Sequence, residues 1–313
     1  MSINEAKSMS TNPEENLLSL ESLFAFIWSK KILIICFSLL FGVVAALLSL
    51  QKPNLYTAEV VLIPSQDNMD NASKLSGLGG LASIAGVDVS NRINKLDLAL
   101  AILGSREFIS SFLYKEERLQ ELFAVKAWDS STNVITFDDA VYDVNTGEWT
   151  REVSLPFKAK PSKQEAFKAF KKIFKLERDS DNGLIILSLT HQSPEVAKEW
   201  LDSLVAEIND KMRKKDIAES EKAIKFLNSS LESTNINEIR ESMYHMIQEH
   251  TKTLVLANVK DEYVFNTVDP AISPEEKSGP KRTIIAIAST LLGGGVGCML
   301  AIFFFFRRNK NNL

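Results

Sequence analysis

Two long stretches without a charged residue constrain this chain more than any other feature of its sequence. They are residues 32–50 near the start and 283–306 near the end. Crossing the apolar core of a bilayer takes about 20 helical residues, and both stretches reach that length. We therefore predict two membrane-spanning helices. A cleaved signal peptide is the alternative for the first, but that stretch is long and follows 31 residues that include four glutamates.

Outside these stretches the chain is a polar, water-exposed protein. The whole sequence is 45% apolar and 24% charged, which is typical of a soluble protein, but the two stretches hold much of the apolar content. The net charge of -4 gives no support for a nucleic-acid partner, because phosphate binding requires a basic excess. Cys36 and Cys298 both lie inside the apolar stretches. The exposed part therefore has no disulfide and must be held by its own core.

Lysine and arginine residues near the ends of the spans predict the orientation in the membrane. Lys30 and Lys31 precede the first stretch, and Arg307 and Arg308 follow the second. We expect both termini in the cytoplasm and residues 51–282 on the other side of the membrane. Two further cations at the end of this loop oppose the assignment only weakly, because long loops are translocated largely regardless of their charge.

Between the spans, local patterns predict a domain that mixes strands and helices. Three short runs rich in β-branched residues predict strands, at residues 56–64, 184–190 and 262–268. A turn pattern at residues 179–183 predicts a β-hairpin that ends in the second of these strands. Residues 134–157 fit short strands and irregular structure equally well. The glycine-rich residues 65–91 predict a mobile loop.

Two shorter helices are expected before the middle of the chain. Residues 97–113 show near-helical apolar spacing interrupted near Gly104. Residues 164–174 place Phe167, Phe170 and Phe174 on one face of a lysine-rich helix. We interpret this aromatic face as packed on a sheet, with binding to a membrane surface as the alternative.

A very long helix is predicted after Ser193, which is a candidate N-cap followed by proline at the first helical position. From Pro194 the helical pattern continues to residue 231 without a further proline and without glycine, which corresponds to roughly 55 Å. A second helix at residues 236–259 either returns beside the first or continues it. The narrow apolar stripe suits association of several copies, and an intramolecular hairpin is the alternative.

Proline and glycine mark the approach to the second span and the span itself. Residues 269–282 contain Pro270, Pro274 and Pro280, and because proline fixes φ and lacks an N–H group, this segment is expected to be a stiff spacer with little helix. Within the span, small residues cluster at Gly293, Gly294, Gly295 and Gly297. Such residues let membrane helices approach closely, in this chain or in a partner, although simple tolerance of glycine is the alternative.

The proline-rich segment follows a Tyr-Val-Phe strand and precedes a terminal span, and in this position it resembles the proline-rich motif of the Wzz family. These proteins are the polysaccharide co-polymerases, or chain-length determinants, of bacterial surface polysaccharide. Further matching pieces follow the family's order: Pro53 with Tyr56-Thr57-Ala58, the loop Leu78-Gly79-Gly80-Leu81-Ala82, residues 223–227 before a polar break, and residues 257–269. The resemblance covers nearly the whole chain, most specifically residues 257–306 and most weakly residues 124–161.

The resemblance implies an α+β fold with two transmembrane helices that flank a periplasmic α/β base domain with a long extended helical projection. Family members lie in the inner membrane of Gram-negative bacteria and assemble into rings. They set the modal length of lipopolysaccharide O antigen made by the Wzy polymerase, without forming glycosidic bonds themselves. The implied partners are further copies of the chain, a Wzy-type polymerase, nascent lipid-linked polysaccharide and membrane lipid. Within the family, the chain looks like the two-span class without a kinase domain.

The expected layout follows from the spans and the resemblance together. In chain order it comprises a cytoplasmic tail at 1–31, a span at 32–50, a periplasmic domain at 51–282, a span at 283–306 and a cytoplasmic tail at 307–313. The periplasmic domain is expected to divide into a base at 53–192 and 260–269, long helices at 194–259 and the proline-rich segment at 269–282. The residues expected to matter are Pro270, Pro274, Pro280 and Arg282, which position the second span, and Gly293 and Gly295, which let it pack.

The sequence offers no candidate active site, cofactor site or metal site. No G-x-x-x-x-G-K-[ST] phosphate loop is present. His245 and His250 are five residues apart, on different helix faces, and we expect them and His191 to be solvated surface residues. Acidic pairs such as Asp138-Asp139, Glu116-Glu117 and Glu275-Glu276 are expected to be solvated charge and not glycosidase carboxylates. The alternatives to an O-antigen regulator are a periplasmic sensor or transport accessory, and a co-polymerase for capsule, exopolysaccharide or enterobacterial common antigen.

Overall fold

The computed structural model describes residues 28–65, 95–115, 118–179 and 181–310, the last range without the side chains of 305 and 308–310. Several predicted features lie outside these ranges, namely the N-terminal tail up to residue 27, almost all of the glycine-rich loop at 65–91, and the pair Glu116-Glu117. The chain divides into two units. We call residues 55–278 the central unit, and the residues before and after it the terminal unit.

Eight helices lie in the part of the chain that the structure describes. They are α1 Lys31–Leu50, α2 Lys95–Leu103, α3 Arg106–Leu113, α4 Arg118–Phe123, α5 Lys163–Ile173, α6 Pro194–Ser233, α7 Asn237–Val259 and α8 Arg282–Lys310. Helices α1 and α8 are long and apolar enough to cross a membrane. The predicted helix at 97–113 is confirmed with its interruption, because α2 ends just before Gly104 and α3 begins just after it.

The strands of the same described residues form one four-stranded sheet and two small hairpins. They are β1 Tyr56–Pro64, β2 Val125–Asp129, β3 Val134–Phe137, β4 Tyr142–Asp143, β5 Glu148–Trp149, β6 Phe174–Arg178, β7 Ile185–His191 and β8 Phe265–Asp269. The main sheet has the order β6-β7-β1-β8 and every pairing in it is antiparallel. The predicted strands and the predicted β6-β7 hairpin are confirmed.

Alternation along the central strands puts one face of the sheet into the core. Val60 pairs with Leu187 and Leu62 pairs with Ile185, and all four side chains are buried. Helices α6 and α5 cover this face. Trp200 of α6 lies at its centre, where its ring contacts those of Phe112 and Phe170, and the aromatic face of α5 therefore packs inward as expected.

One aromatic residue was assigned to the wrong element. Phe174 was expected on the last turn of the lysine-rich helix, but it has extended backbone dihedrals, φ -107° and ψ 131°. It begins β6 and pairs with Leu189 of β7. The apolar spacing continues smoothly from helix to strand and does not show where the helix ends, whereas the pairing of Phe174 with β7 does.

The long helices form an antiparallel hairpin. Helix α6 begins at the Ser193 N-cap, whose Oγ accepts from Val196 N, and runs for 40 residues, which is roughly 60 Å. Helix α7 returns beside it, since Arg213 donates to the carbonyl of Lys260 and His250 Nδ1 lies 3.4 Å from Ser220 Oγ. The intramolecular pairing anticipated as one alternative is therefore present. The α+β class, the long helical region and the two candidate membrane helices are as predicted.

Candidate functional site

The later part of the proline-rich segment contacts the start of β1 through Ser278. After β8, residues 270–278 form no regular helix or strand, and the chain is fixed again at Ser278. There the backbone N–H donates to the Leu55 carbonyl at 2.8 Å, and Thr57 Oγ1 donates to Ser278 Oγ at 2.8 Å. Pro270 is exposed and Pro274 is half-buried. Because proline has no N–H to donate, Pro270 and Pro274 cannot act as donors in a strand ladder.

The end of this segment joins the two terminal helices. Arg282, the first residue of α8, donates from Nε to the Ser49 carbonyl at 3.2 Å and from a terminal nitrogen to the Lys52 carbonyl at 3.1 Å. The last carbonyls of a helix lack partners within the helix and carry partial negative charge. The guanidinium therefore caps the end of α1 and links both candidate spans. Pro280 precedes it and is half-buried.

Small residues form the contact between α1 and α8. A Cβ added to Gly293 would stand 2.8 Å from the Phe37 carbonyl oxygen, and one added to Gly297 would stand 2.9 Å from Ile34 Cα. Ala301, one turn further on, is fully buried. Within the terminal unit, nothing would meet a Cβ on Gly295 within 4 Å.

Of the two glycines singled out from the sequence, the structure thus brings Gly293 to α1 and leaves Gly295 facing open space. Gly297 lies four residues after Gly293, so a helical spacing argument within the glycine patch would have found it. Across the interface, Gly42 of α1 faces Thr290. The functional role of these glycines stays a prediction.

A cavity of about 490 Å³ opens on the central unit between α6, the loop before β8 and β8 itself. Asp202 and Asp210 of α6 and Asp261 and Glu262 of the loop line it, with Arg213 as its one lining cation. Pro270 also lines this cavity, which connects the proline-rich segment to an acidic surface.

Asn209, beside the cavity, attaches the returning chain to the base. Its Oδ1 accepts from the N–H groups of Val264 and Phe265, and its Nδ2 donates to the Phe265 carbonyl. The side chain is 4% exposed. The sequence analysis did not single it out, although a polar residue next to the apolar stripe of α6 was a usable signal.

His191 corrects the expectation of three solvated histidines. It is 6% exposed, its Nδ1 accepts from Ser193 N and its Nε2 bonds the Glu121 carbonyl. Burial lowers the pKa of this imidazole, outweighing the opposing effect of the two backbone hydrogen bonds. It lies at the end of β7, where an apolar strand pattern was already visible. His245 is exposed and His250 is half-buried.

Two carboxylates of the small hairpins, Asp129 and Asp143, accept hydrogen bonds from backbone N–H groups in the turns. A backbone hydrogen bond from Ser131 lowers the pKa of Asp129, and one from Asn145 lowers the pKa of Asp143. A general acid for glycoside cleavage needs a raised pKa, so these two groups do not suit that role. Among the described residues, no cluster of three or more histidine, cysteine or acidic side chains could hold a metal ion.

Comparison with family models finds a match over the first third of the chain. The model of the Wzz family, described as chain length determinant protein, matches residues 16–116, a stretch that contains α1 and β1. Residues 16–116 are a Wzz region. This match agrees with the family resemblance drawn from the proline-rich motif and the two spans, and it supports regulation of polysaccharide chain length as the class of function. No curated protein matches the chain.

Solved structures give more distant likenesses. A full-length bacterial polysaccharide co-polymerase is 13% identical, with a TM-score of 0.39 over 94% of this chain and 99% of that chain. A fragment of WzzB, a polysaccharide co-polymerase from Salmonella Typhimurium, is 14% identical, with a TM-score of 0.30 over 72% and 100%. A point mutant of the Shigella flexneri lipopolysaccharide O-antigen chain-length regulator is 9% identical, with a TM-score of 0.20 over 72% and 100%. At these scores the likenesses carry no argument about this chain.

Proposed function

We propose that this Wzz chain sets the modal length of lipopolysaccharide O antigen made by a Wzy-type polymerase. It acts as an oligomeric scaffold in the inner membrane and forms no glycosidic bond itself. The Wzz family match over residues 16–116 carries the proposal. The two candidate spans, which precede and follow the central unit along the chain, support it.

The proposed arrangement puts both termini in the cytoplasm and the central unit in the periplasm. The tails are residues 1–31 and 307–313, and the spans are residues 32–50 and 283–306. The periplasmic residues 51–282 comprise the α/β base, the long helices and the proline-rich segment. Lysine and arginine outside the spans support this orientation. Single cysteines placed in each segment, probed with a membrane-impermeant thiol reagent on intact and opened cells, test it.

The deciding experiment is a gel separation of lipopolysaccharide from a deletion strain and from the same strain carrying this gene. We expect bands clustered at one length only when the gene is present. An unchanged ladder in cells that make O antigen would contradict the proposal. Altered capsule, exopolysaccharide or enterobacterial common antigen in the same strains would assign the chain to that polymer.

The proline-rich segment is proposed to position the second span. Replacing Pro274 and Pro280 together with alanine gives the segment backbone freedom and N–H donors that proline withholds. We expect the modal length to shift or the distribution to broaden at normal protein levels. Pro156, an exposed proline outside the segment, provides the matched P156A control. A wild-type distribution in the double variant would reject this role.

A further inference from the structure

Opposite edges of the main sheet carry opposite charge. On the β8 side, residues 260–276 hold one lysine and five carboxylates, a net charge of -4. On the β6 side, residues 163–178 hold six cations and two carboxylates, a net charge of +4. β6 and β8 are the outermost strands of the four, and α5, which carries four of the six cations, leads directly into β6 and packs against it, so these charges stand on the two flanks of the base. We call them the acidic edge and the basic edge.

The charged side chains of both edges are available to a partner. The five carboxylates of the acidic edge are exposed; they are Asp261, Glu262, Asp269, Glu275 and Glu276. Five lysines of the basic edge are also exposed; they are Lys163, Lys168, Lys171, Lys172 and Lys175. None of these ten side chains forms an ion pair with another described residue, whereas Glu165 is paired with Arg151 and Arg178 with Asp97.

The membrane restricts how copies of this chain can associate. Two spans hold every copy in the same orientation, so a closed assembly has its symmetry axis perpendicular to the membrane. In a ring of three or more copies, adjacent copies meet through two different surfaces, one on each flank, and such heterologous contacts form a ring when the rotation closes. In copies of equal orientation, β6 of one and β8 of the next run antiparallel, since β6 and β8 are antiparallel within one copy.

We propose that the acidic edge of one copy docks against the basic edge of the next. This inference rests on the oligomeric function proposed above and identifies its contact surfaces. Opposite potentials favour this pairing and oppose contact between two like edges, which fixes a single direction around the ring. The cavity that Asp261 and Glu262 line opens on the acidic edge and gives a lysine of the neighbour a place to enter, whereas its other two carboxylates, Asp202 and Asp210, are paired with Lys198 and Lys214. The proline-rich segment contributes by presenting Glu275 and Glu276.

The test is a charge swap on the full chain, purified and placed in detergent or lipid nanodiscs. We expect K171E/K172E, on the basic edge, to lower the ratio of assembly to monomer roughly tenfold in mass photometry, because like charges then face each other. D261K/D269K, on the acidic edge, is expected to do the same. The chain that carries all four substitutions is expected to regain assembly. K222E/K225E changes the charge equally on exposed positions of α6 and is expected to leave assembly at the wild-type level.

Two outcomes of the charge swap would overturn the pairing. One is wild-type assembly in both edge variants, and the other is failure of the four-fold variant to recover while its thermal unfolding matches wild type. Raising the salt concentration should weaken wild-type assembly, since it screens exposed charges, and insensitivity to salt would also count against it. The lipopolysaccharide gel tests the proposed function separately. If banding depends on the gene but the charge swaps leave assembly unaffected, the proposed function stands and the two edges are not the contact surfaces.

Discussion

His191 lies where strand β7 passes into helix α6, and both of its ring nitrogens are engaged. Nδ1 accepts the Ser193 N–H at 3.0 Å, so it carries no proton, and Nε2 therefore donates to the Glu121 carbonyl at 3.0 Å. This is the neutral imidazole. A second proton on Nδ1 would point at another donor inside a buried site, which agrees with a pKa lowered mainly by burial.

This arrangement predicts a stability that falls in mild acid. In the unfolded chain the imidazole titrates near pH 6.5, and in the folded chain it titrates lower. Between the two values the unfolded chain binds more protons, so stability is present above the unfolded pKa and is lost as the pH falls through this window. Thermal unfolding of the full chain from about pH 7.5 to about 5.5 should show a falling midpoint.

Replacing His191 by glutamine should flatten this pH dependence, even if the midpoint is lower at every pH. His245, which is exposed, provides the control, since H245Q should keep the wild-type slope. Equal slopes in wild type and H191Q would show that another group is responsible.

At the scale of single residues, the sequence did not predict the environment of every side chain. A histidine in a polar chain is usually solvated, and only the position of His191 at the end of a strand argued otherwise. Arg282 was selected for its place before a span, but its bonds to the Ser49 and Lys52 carbonyls join residues more than two hundred positions apart. No local pattern contains such a pairing.

At the scale of elements, most predictions came from apolar periodicity, turn patterns and helix caps. β1, the β6-β7 hairpin, the break at Gly104 and the Ser193 cap are all encoded within a few residues, and all are confirmed. The direction of α7 could not be read in this way, because a break of three residues between helices permits a return or a continuation. Contacts such as Tyr263 with Asp216 decide it.

The pairing of α1 and α8 predicts a difference between two glycines of the same helix. Leucine at Gly297 would place Cβ 2.9 Å from Ile34 Cα, and because backbone cannot yield, the helices must separate at a cost of about 1–3 kcal/mol. Leucine at Gly295 meets open space within the chain. We expect G297L to lower the thermal midpoint of the full chain in detergent and G295L to leave it near wild type. Equal effects of both would contradict this helix contact.

At the scale of the whole molecule, burial is concentrated in the base. The buried side chains of α6 are dense up to Met212, and beyond it only Ser220, Leu227 and Leu231 are buried. Helix α7 has one buried residue, Ala257. The outer part of the hairpin therefore adds little to the core, while it exposes apolar side chains such as Phe226 and Tyr244.

The base is accordingly expected to fold and assemble without the outer hairpin. Ser220 and His250 face each other across the hairpin, with 3.4 Å between Oγ and Nδ1, so a short Gly-Ser linker can replace residues 221–249. Because the core and both charged edges lie outside the deleted part, we expect amide exchange to stay slow in β1 and β7 and the copies to remain assembled. A folded but monomeric variant would instead show that copies associate through the exposed apolar stripe of the hairpin, and a variant without slow exchange would show that the hairpin is needed to form the base.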